Sequence, residues 1–347
     1  MIHHNNARSI RNDQDGMVSI TVTIILMLVM SLTVLSFAQI VRREQRQALD
    51  AQLSRQAFYA AETGINDAVA LYSRDSSRSS KTDCAFSEGD DFRPDLGEGV
   101  SYRCVLVDKA PQSLVYALDP TKESRAMLLK SSGDGIEQVT FKWTSNATGD
   151  DSLAQCKNYQ PIAANWKCPF AMLRVDLLPE SGYSGSSIES MGKTATLYMT
   201  PSQDGPHTTT DYRSIGIFGS QRNIFGDQAN QGGRLRVNCS SGTCQATVTG
   251  LSGPGVYVRV LPFYRTTSLT VTAKNGVGSP IAFQNAQMVV DVTGRAQDVL
   301  KRLQVRVPLV NSGTDVHADY GIQTKNGICK NFKVGPTAGS NASTGCD

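Results

Sequence analysis

The chain has few of the side chains that most catalytic centres use. Of its four histidines, only His207 and His317 lie beyond the first few residues, which leaves little for general acid–base catalysis. No P-loop, G-x-S-x-G, H-E-x-x-H or EF-hand pattern occurs in the 347 residues, and this argues against the enzyme classes that carry these motifs. We therefore expect no catalytic site, no bound metal and no cofactor.

A strong excess of one charge is also missing. Lys and Arg number 34 against 31 Asp and Glu, so the formal net charge is +3, which is too mild to indicate a nucleic-acid-binding protein. Calcium remains an alternative to simple solvation for the paired acids Asp90-Asp91 and Asp150-Asp151. Four arginines on predicted strands either lie on the solvent side of a sheet or form a basic binding face. They are Arg234, Arg236, Arg259 and Arg265.

Cysteine is absent from the first 83 residues, and a C-x-x-C pair is absent throughout. The latter absence disfavours the alternative of a zinc site, whereas an even number of cysteines favours disulfides in an oxidising compartment. Nearest-neighbour pairing is the simplest arrangement, with the short loop between Cys239 and Cys244 suiting a hairpin. The pairs would be Cys84 with Cys104, Cys156 with Cys168, Cys239 with Cys244, and Cys329 with Cys346.

Charged side chains are absent from Met17 to Val41. A run of about 25 uncharged residues exceeds the roughly 20 that an α-helix needs to cross a bilayer. A buried core helix is the alternative, but no other apolar run in the chain approaches this length. The sequence therefore predicts one membrane anchor near the N-terminus.

The residues before this run are polar and end in Gly16, with no small-residue A-x-A site, so an ordinary signal peptide fits poorly. The arrangement resembles type IV prepilins, in which a dedicated peptidase cuts after a glycine that precedes an apolar helix. The resemblance implies cleavage between Gly16 and Met17. The family's glutamate at the fifth mature position is replaced by Thr21, so its pairing with a neighbouring N-terminal amine is lost, which implies a minor pilin.

The sequence A-A-E-T-G at residues 60–64 resembles the A-A-E-x-G segment of PilX-type minor pilins and pseudopilins. Apolar residues around it recur with helical spacing as far as Tyr72, so a helix from Met17 would be about 84 Å long. Many residues on the apolar face are small and suit close approach to a sheet. The predicted packing face consists of Leu49, Leu53, Ala57, Ala60, Ala61, Gly64, Ala68 and Leu71.

Two signals for membrane orientation disagree. Arg42, Arg43 and Arg46 follow the span at once, and the positive-inside tendency would place them in the cytoplasm, whereas the cysteines favour an oxidising exterior. The resemblance also places the leader inside. We therefore expect a single-pass cell-membrane protein with its C-terminal domain outside, which becomes extracellular in the pilus after assembly.

Alternating apolar residues from Val100 onward predict half-buried strands. Val139, Phe141 and Trp143 alternate with polar residues, and many short strands joined by turns imply antiparallel sheets, with a sandwich favoured. The expected fold is α+β, with a long N-terminal helix and a disulfide-stapled, mainly antiparallel β domain. On the first strand the predicted shared face consists of Val100, Tyr102, Cys104 and Leu106.

Composition divides the chain into seven segments. The region rich in Gly, Pro and Thr before residue 234 either separates two β lobes or is an insertion in one. The predicted boundaries are 1–16 for the leader, 17–73 for the helix with its span at 17–41, 74–99 for a linker, 100–200 for a first β lobe, 201–233 for a loop-rich connection, 234–310 for a second β lobe and 311–347 for a C-terminal tail.

The resemblance implies a minor pilin or pseudopilin of a type IV pilus or related filament machine, contributing to filament initiation or tip assembly and to surface contact. Its partners would be other pilin subunits through the N-terminal helix, the prepilin peptidase, the inner-membrane assembly platform and, before assembly, membrane lipid. Two alternatives stay open. One is a pilus-tip adhesin that binds a host surface, glycan or DNA, and the other is a membrane-tethered extracellular enzyme.

Overall fold

The chain divides into two compact units. The helical unit comprises Met1–Lys109 and Val289–Val307, and the β unit comprises Ala110–Met288 and Pro308–Asp347. In chain order the β unit is therefore inserted into the helical unit. The computed structural model describes residues 13–75, 77–86, 91–122, 125–131, 133, 135–146, 151–157, 166–180, 194–203, 209–212, 234–240 and 242–309.

One long helix, α1 (Asp13–Arg74), opens the described chain and is followed by strands and a short 3₁₀ turn (Leu153–Lys157). The strands are β1 (Asp95–Gly97), β2 (Val100–Asp108), β3 (Ser113–Leu118), β4 (Arg125–Lys130), β5 (Gln138–Thr144), β6 (Met172–Pro179), β7 (Ala195–Ser202), β8 (Thr209–Asp211), β9 (Arg234–Ser240), β10 (Thr243–Thr249), β11 (Gly255–Phe263), β12 (Thr267–Lys274), β13 (Gln287–Ala296) and β14 (Val299–Pro308). The fold is thus a long N-terminal helix followed by β structure, as the sequence predicted.

Helix α1 is continuous over 62 residues, or about 93 Å at 1.5 Å per residue. It ends where Asp75 begins a turn, because the Asp75 carboxylate accepts hydrogen bonds from the backbone nitrogen of Ser77 at 2.9 Å and from its hydroxyl at 2.6 Å. These bonds hold the pKa of Asp75 below its ordinary value. The exit from the helix is therefore defined by local side-chain capping.

The helical unit contains a four-stranded sheet in the order β1-β2-β13-β14. Strands β2 and β13 are antiparallel neighbours, with Val105 opposite Val292, and a bulge interrupts their register between Thr293 and Gly294. The bulge corrects the sequence prediction for β2, because the residues buried there are Tyr102, Val105 and Val107. One inserted residue changes which positions share a face, so simple alternation fails beyond Tyr102.

The β unit is built on one continuous path of strands, β3-β12-β5-β10-β9-β7-β6-β11-β4, with β8 beside β10. Most neighbours are antiparallel; the β7–β9 and β8–β10 pairs are parallel. Leu114 of β3 and Leu129 of β4, at opposite ends of the path, belong to one buried cluster. The sheet therefore closes over a single core, and the predicted buried positions Phe141 and Trp143 lie in it with no exposure.

The outer edge of β3 is closed by a side chain rather than by another strand. Gln287 accepts a hydrogen bond from the backbone nitrogen of Val115 at 3.0 Å and donates one to the carbonyl oxygen of Val115 at 2.7 Å. Gln287 is only 3% exposed. Its amide therefore takes the place of the backbone of a neighbouring strand. It satisfies the backbone N–H and C=O groups of Val115, which would be destabilising if they were left without partners.

Three disulfides are present among the described residues, and all three join nearest neighbours in sequence. Cys239 and Cys244 face each other across the β9–β10 pairing, as the hairpin argument predicted. Cys329 and Cys346 lie outside the described residues. The three bonds are Cys84–Cys104 in the helical unit, and Cys156–Cys168 and Cys239–Cys244 in the β unit.

The unit boundaries differ from those that composition indicated. Strand β2 belongs with the helix, and its partner β13 returns only after the inserted β unit. Strands β7 and β9, which flank the 201–233 region, pair directly, so that region does not separate two lobes. Composition locates loops, but it carries no information on which distant strands pair.

The N-terminal helix as candidate functional site

The apolar half of α1 makes no buried contact within the described chain. Side chains from Ile20 to Val41 are exposed, and α1 is the one helix among the described residues that is long and apolar enough to cross a membrane. Four hydroxyl groups in this half donate to carbonyl oxygens of the preceding turn. They belong to Thr23, Ser31, Thr33 and Ser36, so these polar groups are satisfied within the helix, as a hydrocarbon environment requires.

The predicted cleavage junction, Gly16-Met17, lies in the first turns of α1. The surroundings of these two residues are outside the described side chains. Thr21 is an exposed residue of the apolar half. The site where the family carries a carboxylate therefore holds a neutral hydroxyl on the outer surface of the helix.

The second half of α1 packs against the sheet of the helical unit through small residues. A Cβ on Gly64 would lie 2.7 Å from Val292 Cγ1 and 2.9 Å from Tyr102 Cγ, so only glycine fits without displacing them. Leu71 is 8% exposed, and the other residues of this face have at most 1% exposure or are otherwise buried. They are Ala57, Ala60, Ala61, Gly64 and Ala68.

Two other members of the predicted packing face lie nearer the membrane span. Leu53 is half-buried. Leu49 is 59% exposed, so within the described chain it does not pack against the sheet. Tyr72, which follows the predicted face, is buried at its end. The buried part of the helix therefore runs from Ala57 to Tyr72, because the sheet covers only this part of a much longer helix.

Gly294 completes this contact from the strand side, and it is not among the residues that the sequence pattern indicated. A Cβ on Gly294 would overlap the backbone carbonyl oxygen of Ala57 and the backbone nitrogen of Ala61. Helix backbone and strand backbone thus meet without a side chain between them. A glycine inside a strand pattern is the signal that could have indicated it, because such glycines mark bulges and close backbone approaches.

A polar contact is buried beside Gly64. The hydroxyl of Tyr102 donates to Asp67 Oδ2 at 2.7 Å, and Tyr102 has no exposed surface. Burial, together with this hydrogen bond and the charge of Asp67, raises the pKa of Tyr102 well above its ordinary value. The phenol therefore stays protonated and acts as a fixed donor that sets the helix in register with β2.

The segment after the helix is tied back to the same unit. Tyr72 donates its hydroxyl to the carbonyl oxygen of Ser79 at 3.1 Å, and Lys109 Nζ donates to the carbonyl oxygen of Arg78 at 2.7 Å. The Cys84–Cys104 disulfide links the segment covalently to β2. The helix, its exit and the sheet therefore form one structural element that presents the apolar half.

The described residues contain no group of three His, Cys, Asp or Glu side chains arranged to hold a metal ion. Asp91 is engaged by Arg78 at 2.5 Å, and Asp151 by Arg265 at 2.8 Å. Arg265 also donates to the carbonyl oxygens of Cys168, Asn146 and Trp166. Asp91, Asp151 and Arg265 thus form internal ion pairs. Their charged groups are therefore less available to bind calcium or to form a basic docking face.

The comparison with protein families finds a match in the region of this helix. A family model described as PilX N-terminal matches residues 7–66, which extend through the apolar half and into the sheet-packed half of α1. The search of curated proteins and the search of solved structures found no match to the chain. The N-terminal segment of the chain is therefore similar to the N-terminus of PilX-type pilins, and it includes an apolar helix long enough to cross a membrane.

Proposed function

We propose that this chain enters a type IV pilus or related filament as a minor pilin or pseudopilin, with α1 as its assembly element. The observation that carries the proposal is the division of one continuous helix into an exposed apolar half and a half buried on its own sheet. A large exposed apolar surface marks a membrane or protein interface. The apolar half then lies in lipid before assembly and against the helices of other pilin subunits afterwards.

In this proposal the prepilin peptidase cuts between Gly16 and Met17, and the inner-membrane platform extracts the helix. The C-terminal part of the chain lies outside, where its disulfides form. Thr21 cannot neutralise the N-terminal amine of a preceding subunit. This loss is tolerated where no subunit precedes, which supports an initiating or tip position.

Mass spectrometry of the mature N-terminus tests the proposal. In cells with the peptidase we expect a chain that begins at Met17, and in a Gly16→Leu variant we expect an intact leader. A Gly276→Leu variant is the control, since a Cβ at Gly276 meets nothing within 4 Å. An intact leader on the unsubstituted chain, or detection of the subunit uniformly along sheared filaments, would contradict cleavage or the tip position respectively.

A second candidate, a pilus-tip adhesin, is favoured by the insertion of the β unit. Asp108 of β2 pairs with Val289 of β13, so the helix–sheet contact can close without residues 110–288. Replacing residues 110–288 by Asn-Gly, which with Lys109 forms a short hairpin loop, should leave a subunit that still inserts and assembles. If the filaments then lose adherence to host cells, glycan or DNA, the β unit is the binding module; unchanged adherence would exclude it.

A further inference from the structure

Three arginines form a compact cationic patch where α1 leaves its apolar half. Arg42, Arg43 and Arg46 are the first basic residues after Val41, and all three are exposed. At 100° per residue they lie within about 100° of one another around the helix axis, whereas Glu44 lies on the opposite side. The patch is therefore one-sided, and the acid within its sequence does not belong to it.

The patch carries charge that the described chain does not neutralise. None of the three arginines forms an ion pair or a side-chain hydrogen bond with another residue that the structure describes. Arg46 is four residues from Arg42 and three from Arg43, and like charges at these spacings repel on a helix. An external anion at the patch would remove this repulsion.

The depth of the patch identifies the anion. From Val41, the three residues advance about 1.5 to 7.5 Å along the helix axis. The headgroup layer outside a hydrocarbon core of about 30 Å is roughly 5 to 7 Å thick. With Val41 at the edge of the core, the guanidinium groups lie at the level of lipid phosphates, with which they form paired, charge-assisted hydrogen bonds.

We propose that Arg42, Arg43 and Arg46 bind the headgroups of anionic phospholipid on the membrane side that faces the folded units. The patch then fixes how deep α1 sits before the subunit leaves the bilayer. This inference rests on the membrane-spanning helix and does not require a pilus. Acidic side chains of a neighbouring protein are the competing occupant, and the experiment below separates the two.

The test uses the full chain reconstituted in phosphatidylcholine vesicles that contain a small fraction of spin-labelled phosphatidylglycerol or spin-labelled phosphatidylcholine. Electron paramagnetic resonance measures the motionally restricted fraction of each label, and the ratio of the two association constants gives the anionic preference. We expect a several-fold preference for phosphatidylglycerol in the unsubstituted chain. It should fall at least about fivefold in Arg42→Gln/Arg43→Gln/Arg46→Gln, and 0.5 M NaCl should weaken it in the unsubstituted chain.

The control removes the same charge elsewhere. Arg55, Arg74 and Arg103 are exposed arginines of the same unit, and Arg55 lies about 13 Å beyond Arg46 along the helix. Their triple substitution by Gln should leave the lipid preference unchanged. Lysine at the three patch positions should retain most of it, since a charge remains at the same depth. Circular dichroism of each variant checks that α1 is intact.

Three outcomes would overturn the proposal. The first is an unsubstituted chain with no preference for phosphatidylglycerol, and the second is a patch variant that keeps the full preference. The third is an equal loss in the control, which would show a general charge effect. If the patch variant keeps its lipid preference but no longer co-purifies with other filament subunits, the occupant is an acidic protein surface.

Discussion

Gly294→Ala is the sharpest perturbation of the contact between α1 and its sheet. The added methyl group would overlap the backbone of Ala57 and Ala61, and helix backbone cannot rotate aside as a flexible side chain can. Either α1 moves away from β13 or the strand bends at its bulge. Both movements also loosen the packing of Gly64 against Val292 and Tyr102.

The cost follows from this geometry. Overpacking a well-packed core costs about 1 to 3 kcal/mol, and we expect about 2 to 3 kcal/mol here because backbone atoms are involved. For a unit of somewhat more than 100 residues this lowers Tm by roughly 10 °C. Gly64→Ala should cost less, because its Cβ would meet side-chain atoms rather than backbone atoms and because Ala in a helix is favoured over Gly by up to about 1 kcal/mol.

The two units can be followed separately in the full chain in detergent micelles. Both tryptophans, Trp143 and Trp166, are in the β unit, so their fluorescence follows that unit, whereas circular dichroism at 222 nm follows α1. Gly294→Ala should lower the Tm measured by circular dichroism and leave the Tm measured by fluorescence unchanged. Gly276→Ala, with nothing within 4 Å of its Cβ, is the control. A Gly294→Ala chain that melts like the unsubstituted chain would refute the close backbone approach.

Three further predictions use the same two signals. Tyr102→Phe should destabilise the helical unit by about 1 to 2 kcal/mol, because Asp67 loses a partly buried donor. Since the pKa of Tyr102 is raised on folding, this tyrosine stabilises the folded state fully below about pH 10, the unfolded value, and progressively less above it. Melts recorded at a series of pH values should show this loss of stability. Tyr102→Phe should abolish the part of the loss that is due to this tyrosine. Gln287→Ala should lower the free energy of unfolding of the β unit, followed by fluorescence, by about 2 to 4 kcal/mol, because both backbone groups of Val115 lose their partner. An unchanged fluorescence transition would show that other groups satisfy the edge of β3.

Local patterns were sufficient for the helix. The uncharged run to Val41 and the helical spacing of Ala57, Ala61 and Ala68 depend only on residues a few positions apart, and the structure has one continuous helix there. The alternation of Val139, Phe141 and Trp143 predicted a buried strand face for the same reason, and these side chains are fully buried. Periodicity reports which side of an element is apolar.

The same patterns failed where distant residues decide the structure. The face of β2 changes at a bulge whose position is set by pairing with β13, nearly two hundred residues later. Leu49 shares the apolar side of the helix with Ala57, yet it is exposed because the sheet does not reach it. The closure of β3 by Gln287 has no local signature, since a buried glutamine is recognisable only when its partner strand is known.

Composition and short-range periodicity were enough to predict one apolar anchor helix and a disulfide-stapled β region, and the resemblance at Gly16-Met17 and at residues 60–64 was enough to predict a pilin-like N-terminus. Only the tertiary structure decided that α1 divides between an exposed half and a half buried on β2 and β13, and that residues 110–288 form an insertion between those two strands. The physical reason is that strand pairing and close packing at Gly64 and Gly294 join residues far apart in the chain. No local pattern encodes such contacts.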